Sequence, residues 1–497
     1  MLTFPELQAR LAEACAANRP GSGVPHTVVL LPSFSIGESL LSHYADRLLA
    51  LEHRFLVGQL MLHRIRDCEM IFICSEPPAP EVLDYYVGLA PARLRADVRS
   101  RFSTLVVPDR SHRPVAAKLL DRPDLMAHLA SRLAGRLAFI EPWNVTTDEV
   151  EVARHLGVPV NGTAPDLWPL GYKSGGRRLL RDAGVPVPAG SEDVRTVDDV
   201  VAATMSVHAA RPLAPGVVVK LDDSGAGDGN MVVPLEPDTT RDRVEASVRA
   251  LPLWYLRALH GGGIVEELLG GGATTTPSTQ VDISPDGTVT VLATHEQVVG
   301  GPSGQVYLGC TFPARLPYAA ELARHGAAVG EALARRGARG RFSLDFVAVG
   351  DADGRWRVYG LEINLRKGGT THPYTVLRNL APGRYDPDPG QWLTADGTTR
   401  SYCATDNLVD AAWLGLPAAR AIAAVRQAGL AFDPVTRTGV VLHMLSGLAI
   451  DGRMGLTAIG RGLAEATSML ERTRDAVQRA AGTTPSLSGR LAGGTAR

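Results

Sequence analysis

Two segments of the chain, RFSLDFVAV and RVYGLEINLR, place carboxylate and amide side chains at strand spacing. Successive side chains of a β-strand point to opposite faces, so Glu362, Asn364 and Arg366 share one face of the second segment. If the two strands are neighbours, Asp345 of the first segment converges with them. Such oxygen donors suit Mg2+ held between protein carboxylates and substrate phosphates, with Arg366 neutralising charge on a transferred phosphoryl group. A solvated sheet face explains the same alternation.

The lysines form a second chemical signal, because only four of the 51 Lys and Arg residues are lysine: Lys118, Lys173, Lys220 and Lys367. The ammonium group is a compact charge on a flexible stem, and it binds phosphate as a point charge. Lys173 opens a predicted helix, Lys220 ends an apolar strand before a glycine-rich loop, and Lys367 follows the acidic segment. We therefore expect phosphate near these three lysines, whereas chance explains Lys118.

A glycine-rich loop, SGAGDGN, follows Lys220 and leads into another apolar strand, MVVPL. Because no helix follows the loop, the pattern argues against a dinucleotide-binding fold and against a Walker A loop. A glycine loop between two strands can instead fold over a nucleotide triphosphate and donate backbone N–H groups to it. A long hairpin turn explains the loop equally well. The candidate nucleotide-binding residues here are Ser224, Gly225, Gly227, Gly229 and Asn230.

The segment IVEELL interrupts an apolar strand with two acids, Glu266 and Glu267. A hinge of this kind can offer a backbone carbonyl and N–H to adenine, with a carboxylate near the ribose. A strand that leaves the core and exposes two acids explains the pair equally well.

The composition is that of a globular protein with several domains. The 497 residues are 45% hydrophobic and carry a formal net charge of -1, which allows roughly two to four domains and argues against a nucleic-acid partner. No apolar run reaches the roughly 18 residues that span a bilayer, and the N-terminus lacks the residue order of a signal peptide. The five cysteines show no CxxC spacing, which argues against a zinc ribbon. We expect a cytoplasmic enzyme without a membrane partner.

The arrangement of apolar segments predicts where the domains lie. Short apolar runs at 27–34, 69–75, 103–108 and 137–143 alternate with helical patterns, such as the one at 37–54, and predict a parallel α/β sheet. A hairpin is predicted to turn at 285–287. The predicted domains are an α/β domain at 1–165, a lobe with the glycine loop at 166–262, a lobe with the metal site at 263–400, a mostly helical region at 401–480 and a disordered tail at 481–497.

The motifs occur in an order that resembles ATP-grasp enzymes: Lys173, then Lys220 with its loop, the 266–269 hinge, Asp345 and the segment 362–366. Longer stretches resemble the pheganomycin-type peptide ligases, namely IEPWNVTTDEVEVARHLGVPVNG, GYKSGGRRLLRDAGVPVPAG, THEQVVGGPSGQVYLGCTFPA, LEINLRKGGTTHPY and GLTAIGRGLAEA. The resemblance implies an α/β and α+β multidomain fold, in which a Rossmann-like pre-ATP-grasp domain precedes a two-lobed ATP-grasp fold.

The resemblance also implies how ATP and metal are bound. Lys173 and Lys220 would contact the phosphates of ATP, Glu266 and Leu269 the adenine, and Glu267 the ribose. Other residues match the family's Mg2+ ligands and its catalytic cations, and two Mg2+ ions are expected. The metal ligands are Asp345, Glu362 and Asn364, and the catalytic cations are Arg366 and Lys220.

The implied reaction is the ATP-dependent joining of a small acid to an amine, such as an amino acid or peptide, in natural-product biosynthesis. A substrate carboxylate attacks the γ-phosphate of ATP, and the amine then displaces phosphate from the acylphosphate. Glu296, Lys367 and His372 are candidates for holding either substrate, although polar loop residues can also be purely structural. A homodimer is compatible with the sequence. The alternatives are a thiol ligase, a phosphotransferase or a non-catalytic ATP-binding protein.

Overall fold

Four apolar runs near the N-terminus form a parallel sheet in the computed structural model, which describes residues 2–35, 41, 45–224, 229–270, 272–300 and 306–482. The strands are β1 (His26–Leu31), β2 (Cys68–Cys74), β3 (Phe102–Val106) and β4 (Ala138–Pro142), in the order β3-β2-β1-β4. Val28 and Leu30 pack into one apolar cluster and Val29 and Leu31 into another, so both faces are covered, as parallel sheets require. The predicted α/β sheet is confirmed.

Helices cover this sheet. They are α1 (Phe4–Gln8), α2 (Leu11–Ala17), α3 (Leu48–Arg54), α4 (Pro80–Gly88), α5 (Arg95–Ser100), α6 (Val115–Leu120), α7 (Pro123–Leu133) and α8 (Thr147–Leu156), with a 3-10 segment at Phe55–His63. The helix predicted at 37–54 corresponds in part to α3, while 36–40 and 42–44 lie outside the described residues.

A second, four-stranded sheet carries the predicted glycine loop. Its order is β5-β8-β6-β7, with β5 (Gly190–Ser191), β6 (Gly216–Leu221), β7 (Asn230–Pro234) and β8 (Gly263–Glu267), and the helices α9 (Lys173–Asp182), α10 (Val197–Ala210), α11 (Arg241–Arg249) and α12 (Leu253–Leu259) accompany it. The predicted boundary at 262/263 is wrong, because β8 pairs with β6 inside this sheet.

The rest of the chain forms an eleven-stranded sheet. Its strands are β9 (Ala273–Thr275), β10 (Pro277–Ile283), β11 (Val289–Gly300), β12 (Val306–Phe312), β13 (Gly340–Gly350), β14 (Trp356–Asn364), β15 (Gly383–Asp386), β16 (Gln391–Thr394), β17 (Thr399–Val409), β18 (Gly439–His443) and β19 (Arg453–Gly460). Its helices are α13 (Leu316–Arg335), α14 (Thr371–Leu380), α15 (Ala418–Gln427), α16 (Gly447–Ile450) and α17 (Leu463–Ala480). The hairpin of β10 and β11 confirms the predicted turn at 285–287.

The region at 401–480 is part of this large sheet. β17 crosses the predicted boundary at 400 and pairs with both β12 and β19, so that boundary is wrong. The helical spacing of α17 was readable in the sequence, whereas pairing between β17, β18 and β19 depends on contacts between distant residues. Residues 483–497 of the predicted tail lie outside the described residues.

The parallel-sheet domain and the large sheet share one apolar core. Buried residues of α4 and of β18 belong to the same cluster, and the Tyr86 hydroxyl donates to the Leu442 carbonyl over 3.1 Å. The Tyr85 hydroxyl accepts from the Leu442 N–H at 2.8 Å. The N-terminal domain is therefore held against the far end of the chain. No helix among the described residues is long and apolar enough to cross a bilayer.

Two buried histidines make stability depend on pH. His295 and His443 have no exposed surface, and burial lowers the pKa of each to about 3, below the unfolded value of about 6.5. The unfolded chain therefore binds more protons as the pH falls. The stabilisation from neutral histidine is present above about pH 6.5 and is lost as the pH falls toward 3.

We expect the free energy of unfolding to fall between pH 7 and pH 5, by about 2 kcal/mol for each of these two histidines. Urea unfolding of wild type, His295→Gln and His128→Gln at both pH values measures this. His295→Gln should lose about 2 kcal/mol less than wild type over this interval. His128 is exposed, so its variant should follow wild type. Equal losses in all three proteins would contradict the account.

Candidate active site

The predicted convergence of oxygen donors is present on the large sheet. β13 and β14 are antiparallel neighbours, with Asp345 opposite Glu362. The Asn364 amide donates to Asp345 Oδ2 at 2.9 Å, and the Gln297 amide donates to Asp345 Oδ1 at 2.8 Å. Two carboxylates and two amides therefore meet at one place. Gln297 was not predicted, because its role depends on β11 lying beside β10.

The two carboxylates differ in their electrostatic surroundings. Burial and the facing charge of Glu362 raise the pKa of Asp345 to about 7. Burial alone would raise the pKa of Glu362 as well, but the ammonium of Lys173, with Nζ 2.7 Å from Oε1, and nearby Arg366 and Lys220 hold it below its usual value. The site thus holds one firmly ionised carboxylate beside a second whose negative charge is disfavoured.

Lys173 links this carboxylate pair to the glycine loop. It is the first residue of α9 and is 5% exposed. Its Nζ donates to Glu362 and, at 3.0 Å, to the Ser224 carbonyl. A Cβ on Gly229 would lie 2.4 Å from Ser224 Oγ, so only glycine allows this packing at the end of the loop. Gly225 and Gly227 lie outside the described residues.

Lys220 is held by a buried carboxylate in the four-stranded sheet. Its Nζ forms an ion pair with Glu266 Oε1, and Arg177 Nη1 lies 3.2 Å from Glu266 Oε2. Glu266 is 2% exposed. A buried ion costs several kcal/mol unless it is paired and hydrogen-bonded, and here both carboxylate oxygens have a cation. Glu267, the next residue, lies nearer the surface and 3.5 Å from Arg211.

These groups line a cavity of about 610 Å3, which we call cavity A. Its walls come from all three parts of the chain, and its size is typical of small-molecule sites. The predicted residues that line it are Lys220, Asn230, Glu266, Glu267, Leu269, Asp345, Glu362, Asn364 and Arg366. The guanidinium of Arg366 lies over the ring of Trp143, 4.6 Å from its centre.

A second cavity of about 600 Å3, which we call cavity B, adjoins cavity A. The two share Arg54, Trp143 and Gly368 as lining residues. Lys367 and His372 line cavity B. Lys367 Nζ lies 2.9 Å from Glu141 Oε1, at the end of β4. Glu296, the third predicted substrate residue, does not line either cavity and accepts a 2.6 Å hydrogen bond from the Tyr318 hydroxyl.

His372 belongs to a buried charged network. Its Nε2 lies 2.8 Å from Asp406 Oδ1, His443 Nδ1 lies 3.3 Å from the same oxygen, and Arg54 Nη1 lies 2.6 Å from Asp406 Oδ2. These three His and Asp side chains place ligand atoms within 4.8 Å of one another. A metal ion there would face the guanidinium of Arg54, so we interpret the network as structural. It ties α3 to β17 in the wall between the cavities.

The fold and the donor set define an ATP-grasp protein, and comparisons agree. A model described as "IQCH-like, ATP-grasp" matches residues 253–386, and one described as "PGM1 C-terminal domain" matches residues 420–473. The fold is similar to an ADP complex of N5-carboxyaminoimidazole ribonucleotide synthetase, with a TM-score of 0.52 at 13% identity, covering 92% of this chain and 98% of that one. Biotin carboxylase from Campylobacter jejuni gives a TM-score of 0.53 at 13% identity, with 92% and 95% covered.

Sequence similarity narrows the class. The chain is 33% identical over 469 residues to the L-propargylglycine–L-glutamate ligase of Streptantibioticus cattleyicolor, covering 90% of this chain and 93% of that protein. It is 25% identical over 367 residues to IQ motif-containing protein H of Danio rerio, covering 62% of this chain and 35% of that protein. The chain therefore belongs to the pheganomycin-type peptide ligases of the ATP-grasp superfamily.

The buried ion pairs predict different effects of two neighbouring substitutions. Glu266→Gln would leave Lys220 buried without its carboxylate, so we expect the free energy of unfolding to fall by about 3 kcal/mol. Glu267→Gln removes a longer contact to the exposed Arg211 and should cost less than about 1 kcal/mol. Urea unfolding of both variants tests this. Similar effects of the two substitutions would mean that the buried pairing contributes little.

Proposed function

We propose that the protein uses ATP to join a carboxylic acid to an amine, with ATP in cavity A and the reaction where the two cavities meet. The observation that carries this proposal is the facing pair of Asp345 and Glu362 with Lys173, Lys220 and Arg366 around it. Phosphoryl transfer depends on positioning and charge neutralisation more than on covalent help. A cluster of three cations beside two carboxylates offers both.

The chemistry of the donor set fits Mg2+, which prefers hard oxygen ligands. The raised pKa of Asp345 reflects two facing carboxylates in a buried wall, and a divalent cation would favour the ionised form of both. We propose that Asp345, Glu362 and Asn364 hold two Mg2+ ions. When bound, Mg2+ neutralises charge on the phosphate oxygens.

The nucleotide assignment follows the two lobes. Lys220 lines cavity A from β6, and Lys173 pairs with Glu362 in its wall. Both lysines would bind the phosphates, together with the loop that contains Ser224 and Gly229. Asn230, which is paired with Lys220 across β6 and β7, would lie at the phosphate end with the loop. Glu266 and Leu269 would line the adenine end, and Glu267 would face the ribose. The carboxylate of Glu266 is already engaged by Lys220, so its main effect is to hold that ammonium in the cavity wall.

The reaction then proceeds in two displacements. An oxygen of the substrate carboxylate bonds to the γ-phosphorus, and the bond from that phosphorus to the bridging oxygen breaks, which releases ADP. The amine nitrogen next bonds to the acyl carbon, the bond from that carbon to the phosphate oxygen breaks, and phosphate leaves. The amine proton passes to phosphate or solvent. Arg366, fixed over Trp143, would stabilise the transferred phosphoryl group.

Both substrates are proposed to be amino acids or short peptides. The match to the L-propargylglycine–L-glutamate ligase covers 93% of that protein, whose name contains two amino acids. Lys367 and His372, in the wall of cavity B, would face them. Glu296, which lines neither cavity, is not proposed to contact a substrate.

An ADP- and phosphate-release assay with Mg-ATP and pairs of amino acids and short peptides tests this function. We expect release that requires both substrates, a new amide detected by mass, and no activity after EDTA. Glu362→Gln removes a charge from the donor set and should lower turnover at least about 100-fold, the scale of a lost electrostatic contact in a transition state.

The matched control is Glu331→Gln, at an exposed position of α13, which should keep wild-type turnover. ADP release with an acid and a thiol, but not with an amine, would replace the amide ligase by a thiol ligase. Tight ATP binding without turnover on any pair, in a protein that unfolds cooperatively, would favour a binding protein.

A further inference from the structure

Cavity B is lined by more cations than its lining acids balance. Seven lysine or arginine side chains line it against two acids, Glu141 and Asp282. Lys367 pairs with Glu141 at 2.9 Å, and Arg54 pairs with Asp406 at 2.6 Å. Once these pairs are set aside, five arginines remain: Arg384, which lies 3.4 Å from Asp386, the exposed Arg19, and Arg64, Arg341 and Arg378. The last three follow the 3-10 segment Phe55–His63 or lie on β13 and α14.

Three guanidinium groups, the arginine cluster Arg64, Arg341 and Arg378, surround one tyrosine there. Arg341 lies over the ring of Tyr374, 5.4 Å from its centre. The charges of all three arginines oppose the effect of burial on the Tyr374 pKa. Burial and then the charge of Arg378 lower the pKa of Arg64, and the Arg64 guanidinium donates to the Arg378 carbonyl at 3.0 Å. Like charges this close are costly unless an anion lies between them.

In the described part of the chain, no carboxylate is hydrogen-bonded to the cluster, and its one ion pair, between Arg341 and Asp282, is long. Arg341 Nε lies 3.9 Å from Asp282 Oδ1, beyond hydrogen-bonding distance, and is buried without a hydrogen-bond partner. No ion pair within 4.0 Å joins Arg64 or Arg378 to a carboxylate among the described residues. A buried donor without a partner is costly, so this wall favours an anionic ligand.

The position of the cluster relative to cavity A suggests what that anion is. Consecutive residues cross the wall between the cavities, because Arg366 lines cavity A and Lys367 lines cavity B. A substrate seated in cavity B can therefore present one end at Arg366 while its other end reaches the cluster. Guanidinium groups match the planar, bidentate geometry of a carboxylate.

We propose that cavity B binds an amino-acid substrate through a carboxylate that does not react, held by Arg64, Arg341 and Arg378. This inference rests on the proposed function, because it assumes that the reacting group lies at Arg366. An amino acid that supplies the amine keeps its α-carboxylate, whereas one that supplies the acid keeps a carboxylate only where its side chain carries a second one, as in glutamate. The KM values of the two substrates in a cluster variant show which of these carboxylates is bound in cavity B.

Binding without ATP tests the cluster separately from catalysis. Saturation-transfer NMR would measure the affinity of L-glutamate, L-norvaline and the α-carboxamide of each for wild type, Arg64→Gln, Arg378→Gln and Arg249→Gln. We expect at least one amino acid to bind wild type about tenfold more tightly than its amide, as a charged hydrogen bond implies. The two cluster variants should lose that preference, because each substitution lowers the affinity for the amino acid and leaves the affinity for the amide unchanged.

Arg249 is an exposed residue of α11 that pairs with Glu245, so Arg249→Gln should bind like wild type. The affinity of each variant for ADP should also be unchanged, which shows that cavity A is intact. The proposal is overturned if no probe binds wild type, if amide and acid bind equally, or if Arg64→Gln weakens both alike. Inorganic phosphate that competes better than either amino acid would overturn the carboxylate assignment.

The two hypotheses can fail separately. A carboxylate preference that depends on the cluster, in a protein that forms no amide, would keep the binding site and reject the ligase reaction. Amide formation with unchanged KM values in both cluster variants would keep the ligase and reject the cluster. If both hold, the substrate whose KM rises about tenfold in Arg378→Gln, with kcat less affected, is the one seated in cavity B.

Discussion

The structure depends on the pairing of buried lysine ammonium groups with carboxylates. All four lysines are buried, with exposures of 3% for Lys118, 5% for Lys173, 8% for Lys220 and 6% for Lys367, although lysine is among the residues least often buried. Lys173 pairs with β14, Lys220 with β8, and Lys367 with β4 of the N-terminal domain. Because an unpaired buried charge is costly, the pairs of Lys173 and Lys367 restrict how the three parts of the chain meet, while the pair of Lys220 lies within the four-stranded sheet.

The N-terminal domain takes part in the site because of that restriction. Trp143 follows β4 directly and forms a wall of both cavities, with Arg366 over its ring. In an open parallel sheet, ligands bind beyond the carboxyl ends of the strands, where the strand order reverses. In the order β3-β2-β1-β4 this point lies between β1 and β4. Phe34 follows β1, Trp143 follows β4, and both residues line cavity A. The domain thus closes the site from a side that neither lobe covers.

Local patterns predicted the elements well where the periodicity was strong. The parallel strands follow from short apolar runs, the hairpin from its turn residues at 285–287, and the convergence of Asp345 with Glu362 from alternation along two neighbouring strands. Boundaries were less accurate, since β8 and β17 read as separate short runs and only their pairing assigns them to a sheet. Lys118 was attributed to chance, yet it is buried and donates to Ser75 Oγ at 3.0 Å, beside Glu52.

The amino-acid sequence alone determined the donor set, the two-lobed class and the family, because these depend on residue types within short segments whose spacing sets their orientation. The tertiary structure decided the rest. It engaged the carboxylate of Glu266 with Lys220, placed Glu296 away from both cavities, and brought Arg64, Arg341 and Arg378 around Tyr374. Arg64 follows the 3-10 segment, Arg341 lies in β13 and Arg378 in α14, and no periodicity connects them. Their proximity follows only from how the buried surfaces of the domains pack together.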